Sequence, residues 1–236
     1  MKKEELREIK KGEVGTGLLI ENDGYMSLSA TDGNKAIMEA ARGMDSWHVP
    51  YPFIVDAVFQ KYDIKNANGR VYPERVLKKQ VKLYQQKIDE HMAYGECNHP
   101  SDSTINLSRV SHNIIELHWD GRTLVGKMEI NTSEGFRRNG IVTTCGDEVA
   151  NLLLNGYKIG VSSRGVGSVE EKLGQTVVGD DFELICWDVV SDPSTPNAYI
   201  SAHGEEELAT YIESDESKSD KSPIREMVGK INKILD

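Results

Sequence analysis

Tyr157-Lys-Ile-Gly-Val-Ser-Ser-Arg-Gly165 and Phe182-Glu-Leu-Ile-Cys-Trp-Asp-Val-Val190 decide the fold. The first reads as a strand, and its period of two sorts Ile159, Val161 and Ser163 onto one face and Gly160, Ser162 and Arg164 onto the other. The second is apolar on both faces and stops at Asp192-Pro193, with a turn around Lys172-Leu-Gly-Gln175 between the two. Working outward, Val110 to Ile130 reads as a hairpin. Ile115, Leu117 and Trp119 alternate inward on its first strand, and Leu124, Met128 and Ile130 on its second. Asp120-Gly121 supplies the tight turn. Pro52-Phe-Ile-Val-Asp-Ala-Val-Phe59 is a further strand. Asn66-Ala-Asn-Gly-Arg-Val-Tyr-Pro73 is a turn that opens a helix in which Leu77, Val81, Tyr84 and Ile88 form one apolar stripe. A short helix from Asp147 to Asn155 closes at Gly156. Many short antiparallel strands with two intervening helices predict an α+β domain, an antiparallel β-barrel core flanked by helices.

Four segments follow from texture. Residues 1–48 read as a loosely ordered N-terminal arm, 49–204 as the domain, 205–221 as an acidic linker, and 222–236 as a C-terminal amphipathic helix. In that helix Ile224, Met227, Val228, Ile231, Ile234 and Leu235 share a stripe. The chain has 236 residues and a formal net charge of −10. That balance argues against a nucleic-acid partner, because phosphate neutralisation needs a surplus of Lys and Arg on one face. Most of the excess sits in the 205–220 stretch, so it describes a tail and not the domain. There is no apolar run long enough to span a membrane, and the charged N-terminus lacks the apolar stretch of a secretory signal. Cys97, Cys145 and Cys186 are odd in number and form no CxxC pair, which predicts free thiols and no structural metal.

Three residues stand out chemically. His99 lies in Gly95-Glu-Cys-Asn-His-Pro100, a loop just after the amphipathic helix, where binding and catalytic groups concentrate. Ser162 projects from the polar face of its strand. Asp188 is a carboxylate inside an apolar strand, costly unless paired. Its partner could be the imidazole of His99, or a guanidinium such as Arg109 or Arg164. Together His99, Ser162 and Asp188 supply base, nucleophile and orienting acid; triads are defined by geometry and not by chain order. Two other readings stay open. Glu96 and His99, with Asp102 and His112, have the ligand types of a metal hydrolase, without any established spacing. A non-catalytic structural or scaffold component could also carry these residues as packing.

Asn66-Ala-Asn-Gly-Arg-Val-Tyr-Pro73, Gly95-Glu-Cys-Asn-His-Pro100, Gly160-Val-Ser-Ser-Arg-Gly165 and Asp188-Val-Val-Ser-Asp-Pro-Ser194 occur in this order. They resemble the prohead maturation serine proteases of tailed bacteriophages of the myovirus type, relatives of the herpesvirus capsid maturation protease, over about residues 50–202. The resemblance implies a herpesvirus-maturation-protease-like fold and a peptide-bond hydrolase that needs no cofactor. By motif, His99, Ser162 and Asp188 take the catalytic roles, although the herpesvirus relatives use a second histidine in place of the acid. Backbone N–H groups at Arg164 and Gly165 are expected, from position, to form the oxyanion or substrate-binding site. Expected substrates are scaffold or core proteins and major capsid proteins, cut inside the assembling prohead in the host cytoplasm, where self-association is also compatible with the setting. Cleavage is expected after Glu with an aliphatic residue two positions earlier. Leu6-Arg7-Glu8, Leu19-Ile20-Glu21 and Ile224-Arg225-Glu226 fit that pattern, which predicts self-processing of both arms.

Overall fold

The computed structural model describes residues 7–20, 49–157, 159–191 and the backbone of 200–201. Its strands are β1 (Gly15–Ile20), β2 (Phe53–Lys61), β3 (Arg70–Val71), β4 (Tyr94–Glu96), β5 (Val110–Asp120), β6 (Thr123–Ile130), β7 (Gly160–Lys172), β8 (Gln175–Val178), β9 (Glu183–Val190) and β10 (Ile200–Ser201). Helices α1 (Glu74–Asp89), α2 (Glu134–Asn139) and α3 (Cys145–Leu154) interleave with them. The strands form two five-stranded sheets. One runs β10-β2-β6-β5-β4; in the other, β1 flanks one side of β7 while β8 and β9 pair with different lengths of its other side, and β3 extends from β8. The architecture is therefore α+β with sheets dominant. No closed barrel forms among the described residues, which corrects the barrel expectation. β7 is long enough to serve three neighbours, so the second sheet branches instead of curling round to its own edge.

The sheets meet at one seam. Beyond β4 the chain crosses to β9, where Cys97 bridges Val189 in parallel and the Asn98 N–H donates to the Val189 carbonyl at 2.7 Å. Behind the seam lies the core: Phe59, Tyr84 and Trp187 pack edge to face around the Trp187 indole, with centroids 5.5 and 5.0 Å away. Helix α1 lays Val76, Leu77, Val81, Tyr84 and Ile88 onto this core, the stripe expected from the sequence with Val76 added. Burying each such side chain contributes roughly 1.5–3 kcal/mol. Pro73 sits at its N-cap position, where the missing N–H costs nothing.

Two expectations are corrected here. Gly15–Ile20 is not part of a loose arm: it is strand β1, paired along its length with β7, and Leu18, Leu19 and Ile20 are buried. Ile9 is buried as well, and Glu8 bridges Leu18; residues 1–6 and 21–48 of the arm, the acidic linker and the C-terminal helix fall outside the described residues. In β5, the register shifts between Ile114 and Glu116. That bulge turns Ile114, not Ile115, into the core, while Leu117 and Trp119 keep their inward face. The hairpin turn falls one residue later than expected, on residues 121–122 between the paired Asp120 and Thr123, and of the expected pair only Gly121 takes a positive φ, 53°.

Candidate active site

Strand register does most of the positioning. In the antiparallel β7–β9 pair, Ser162 stands opposite Asp188 and Arg164 opposite Cys186, so all four side chains emerge on one face. Ser163 stands opposite Trp187 on the other face, with the core residues Val161 and Val189. The sequence expectation that Ser162 leaves the apolar face is met, but its face is not open. Ser162, Arg164 and Asp188 are all buried, roofed by the segment that follows β4.

That roof carries His99. Asn98 adopts the left-handed conformation (φ 61°), tolerated by Asn, and its N–H is tied to Val189. Arg109 steadies the same turn, its Nη2 donating to the Cys97 carbonyl at 2.9 Å. The chain thus folds back over β9, and His99 Nδ1 lies 2.8 Å from Asp188 Oδ2 with the imidazole almost wholly enclosed. The carboxylate can only accept, so Nδ1 carries the proton. Nε2 has no hydrogen-bond partner among the described residues. The structure therefore joins His99 to Asp188 and sets Ser162 on the same face, without closing a bond between Ser162 and Nε2. Ser162 itself is engaged in a contact of its own.

Asp188 is paired with a guanidinium as well as with the imidazole, so the two partners left open by the sequence are both present. Arg164 Nε donates to Asp188 Oδ2 at 2.8 Å and Nη2 reaches Oδ1 at 3.3 Å. Nη2 also binds Glu96 Oε2 in a short contact, and Nη1 holds the Asp102 carbonyl at 2.6 Å. Asp188 Oδ1 further accepts the Glu96 N–H at 3.0 Å and the Cys186 thiol at 3.2 Å. Burial alone would raise the Asp188 pKa. The hydrogen bond and charge of His99, the Arg164 charge and the Glu96 N–H outweigh it and hold the carboxyl below its ordinary value. Burial, reinforced by the Asp188 charge, pushes the Cys186 thiol well up, so it stays protonated.

Arg164 and Gly165, where the oxyanion or substrate-binding site was expected, belong to the same network and sheet. The Arg164 side chain is fully enclosed and committed to two carboxylates. The backbone of Arg164 and Gly165 runs between β1 and β9, aligned with Ile20 and Leu19 on one side and Cys186 and Leu184 on the other. Gly165 is small for a different reason: a Cβ there would collide with the Phe182 ring and the Glu183 carbonyl. The role of Glu96 was missed, because its partner Arg164 is 68 residues away in the chain. The residues of the metal reading do not converge: Glu96 faces Arg164 and the Asn106 N–H, and Asp102 accepts the Thr104 N–H. No cluster of three or more His, Cys, Asp or Glu suited to a metal exists among the described residues.

His112 is fully buried beneath the seam. Its Nε2 donates to the Trp187 carbonyl at 3.1 Å, and Nδ1 accepts from Ser111 Oγ at 2.9 Å. Gly95 is required beside it, since any Cβ would strike this ring and the Trp187 carbonyl. Burial lowers the His112 pKa to about 4. The unfolded chain, with an ordinary histidine near 6.5, takes up the proton first, so this group's contribution is complete above pH ~6.5 and is lost as pH falls towards 4. We expect urea unfolding to show a loss of about 3 kcal/mol across that window. In His112→Gln the same window should be flat, whatever the starting stability.

The model of the prohead core protein serine protease family matches residues 18–209. The prohead core protein protease of Enterobacteria phage T4 is 30% identical over 187 residues, 78% of this chain and 84% of that protein. In fold, the chain is similar to the bacteriophage T4 capsid assembly protease, with a TM-score of 0.57 and 24% identity over 75% of this chain and 99% of that one. A family match that spans the strands β2 to β9 covers both the His99 loop and the β7–β9 pair. The chain belongs to the prohead core protein serine protease family.

Proposed function

We propose that the chain is a serine endopeptidase that cuts prohead scaffold or core proteins and capsid proteins from inside the assembling head, in the host cytoplasm. The observation that carries this reading is the buried 2.8 Å contact from His99 Nδ1 to Asp188, on the face shared with Ser162. With its Nδ1 proton held by Asp188, His99 offers Nε2 as the base that takes the Ser162 proton. The hydroxyl oxygen then attacks the peptide carbonyl, the amine leaves with that proton, and water releases the acyl group by the reverse sequence. Asp188 fixes the tautomer and stabilises the imidazolium. The acid stands where the herpesvirus relatives are expected to use a second histidine, so kinship with them remains part of this reading.

Specificity for Glu and self-processing belong to the same proposal. Two of the three matching sites are constrained: Leu19 and Ile20 are buried in β1, and Glu8 bridges Leu18 with Ile9 buried beside it, so a cut after Glu21 or Glu8 requires that part of the sheet to open. A fluorophosphonate probe followed by peptide mapping tests the reading. The expected adduct is on Ser162 alone, and intact-mass measurement of unlabelled protein should show loss after Glu226 before any after Glu8 or Glu21. No adduct at Ser162, in free protein and in assembled proheads alike, would return the chain to a structural role.

A further inference from the structure

The buried cluster beneath His99 has an uneven charge count. Glu96 and Asp188 contribute two carboxylates and Arg164 one guanidinium, all three side chains fully enclosed. The other ionisable groups packed here do not alter that sum. On β9 the Cys186 thiol is held protonated, and on β5 His112 is held neutral with its pKa near 4. In the connecting loop Asp102 offers its backbone carbonyl to Arg164 and its exposed carboxylate to the Thr104 N–H, while Arg109 donates to the Cys97 carbonyl; their charges are opposite and cancel in the sum. One negative charge is left unmatched whenever His99 is neutral, and it is matched when His99 becomes the imidazolium.

We propose that Glu96 is a positioning residue that acts through Arg164, supplying the charge that makes the enclosed cluster complete only when His99 is protonated. The inference rests on the reading of His99 as the base. Its geometry is specific. Glu96 holds Asp188 twice, directly through its N–H at 3.0 Å and indirectly through Arg164, while its other carboxylate oxygen is fixed by the Asn106 N–H at 3.0 Å. In an Asp–Arg pair alone, the guanidinium would offset much of the charge through which Asp188 favours a charged over a neutral imidazole. The second carboxylate tips the balance towards the charged one, the form that develops as Ser162 attacks.

The test is the pH dependence of peptide cleavage in Glu96→Gln, Arg164→Met and the double variant. The acid limb of kcat/KM should move down by about one pH unit in Glu96→Gln, with kcat about tenfold lower. It should move up by a similar amount in Arg164→Met, where two carboxylates remain. In the double variant, which again leaves one unmatched negative charge, the limb should return to its wild-type position. Removing both partners of a buried pair is tolerated better than removing one, so the double variant keeps the test decisive if either single variant fails to fold. A merely structural role would change the amplitude and leave the limb in place. An unmoved limb in folded Glu96→Gln, or one displaced by a unit in the double variant, overturns the proposal. Ser162→Ala is run alongside: if it still cleaves, the underlying serine-protease reading fails instead.

Discussion

In Ser162→Ala, turnover of a peptide carrying an aliphatic residue two positions before Glu is expected to fall by roughly 10⁶-fold, to the residual level set by substrate binding and transition-state hydrogen bonding. The size of the loss follows from the role: without the hydroxyl there is no acyl-enzyme, and His99 has nothing to deprotonate. The fold should hold. The side chain is buried in β7 opposite Asp188 of β9, and deleting one hydroxyl changes stability by about 1 kcal/mol, within reach of a thermal melt. Ser163→Ala is the internal control. Ser163 lies one residue on, opposite Trp187 and on the core face, and its Oγ has no hydrogen-bond partner among the described residues. Its removal should leave turnover within a few-fold of wild type. If the effects were exchanged between the two serines, the register argument that selects Ser162 would be wrong.

That register argument was available from the sequence, and it shows where such reading succeeds. Ser162 was separable from Ser163 because strand alternation is local, and Asp188 was conspicuous because a carboxylate in Leu184-Ile-Cys-Trp-Asp-Val-Val190 needs a partner. What local pattern cannot supply is the partner's address. Glu96 reads only as a candidate metal ligand until β4 and β7 are brought together, and Arg164 reads as one of two guanidinium partners open to Asp188, with no sign of its second carboxylate. β1 escaped for the same reason. Gly15-Thr-Gly-Leu-Leu-Ile20 is short and glycine-rich, and it becomes a strand only because β7 offers it an edge. Ile115 failed through a single inserted residue, which exchanges the two faces of β5 without any mark in composition. Counting strands suggested a barrel. Closure depends on which strand each edge pairs with, and here three strands compete for β7.

Asp188→Asn is the second large effect, an expected drop of roughly 10³–10⁴-fold in kcat/KM at neutral pH. Five contacts converge on this carboxylate as donors: His99 Nδ1 and Arg164 Nε on Oδ2, with the Glu96 N–H, Arg164 Nη2 and the Cys186 thiol on Oδ1. An asparagine has one acceptor oxygen and one NH₂, so it cannot face donors on both sides. With NH₂ towards His99, Nδ1 must accept, the proton moves to Nε2, and the base is lost through the wrong tautomer. With NH₂ towards Glu96, the backbone N–H there meets a second donor and the seam between β4 and β9 loosens. Either orientation also removes the charge that stabilises the imidazolium. Global stability should suffer less than activity, because Glu96 still neutralises Arg164. Near-ultraviolet circular dichroism should therefore report a folded core while cleavage and fluorophosphonate labelling fall together. A folded Asp188→Asn protein that cleaves at the wild-type rate would leave Asp188 as an ion-pair partner of Arg164 and place the orienting group of His99 elsewhere.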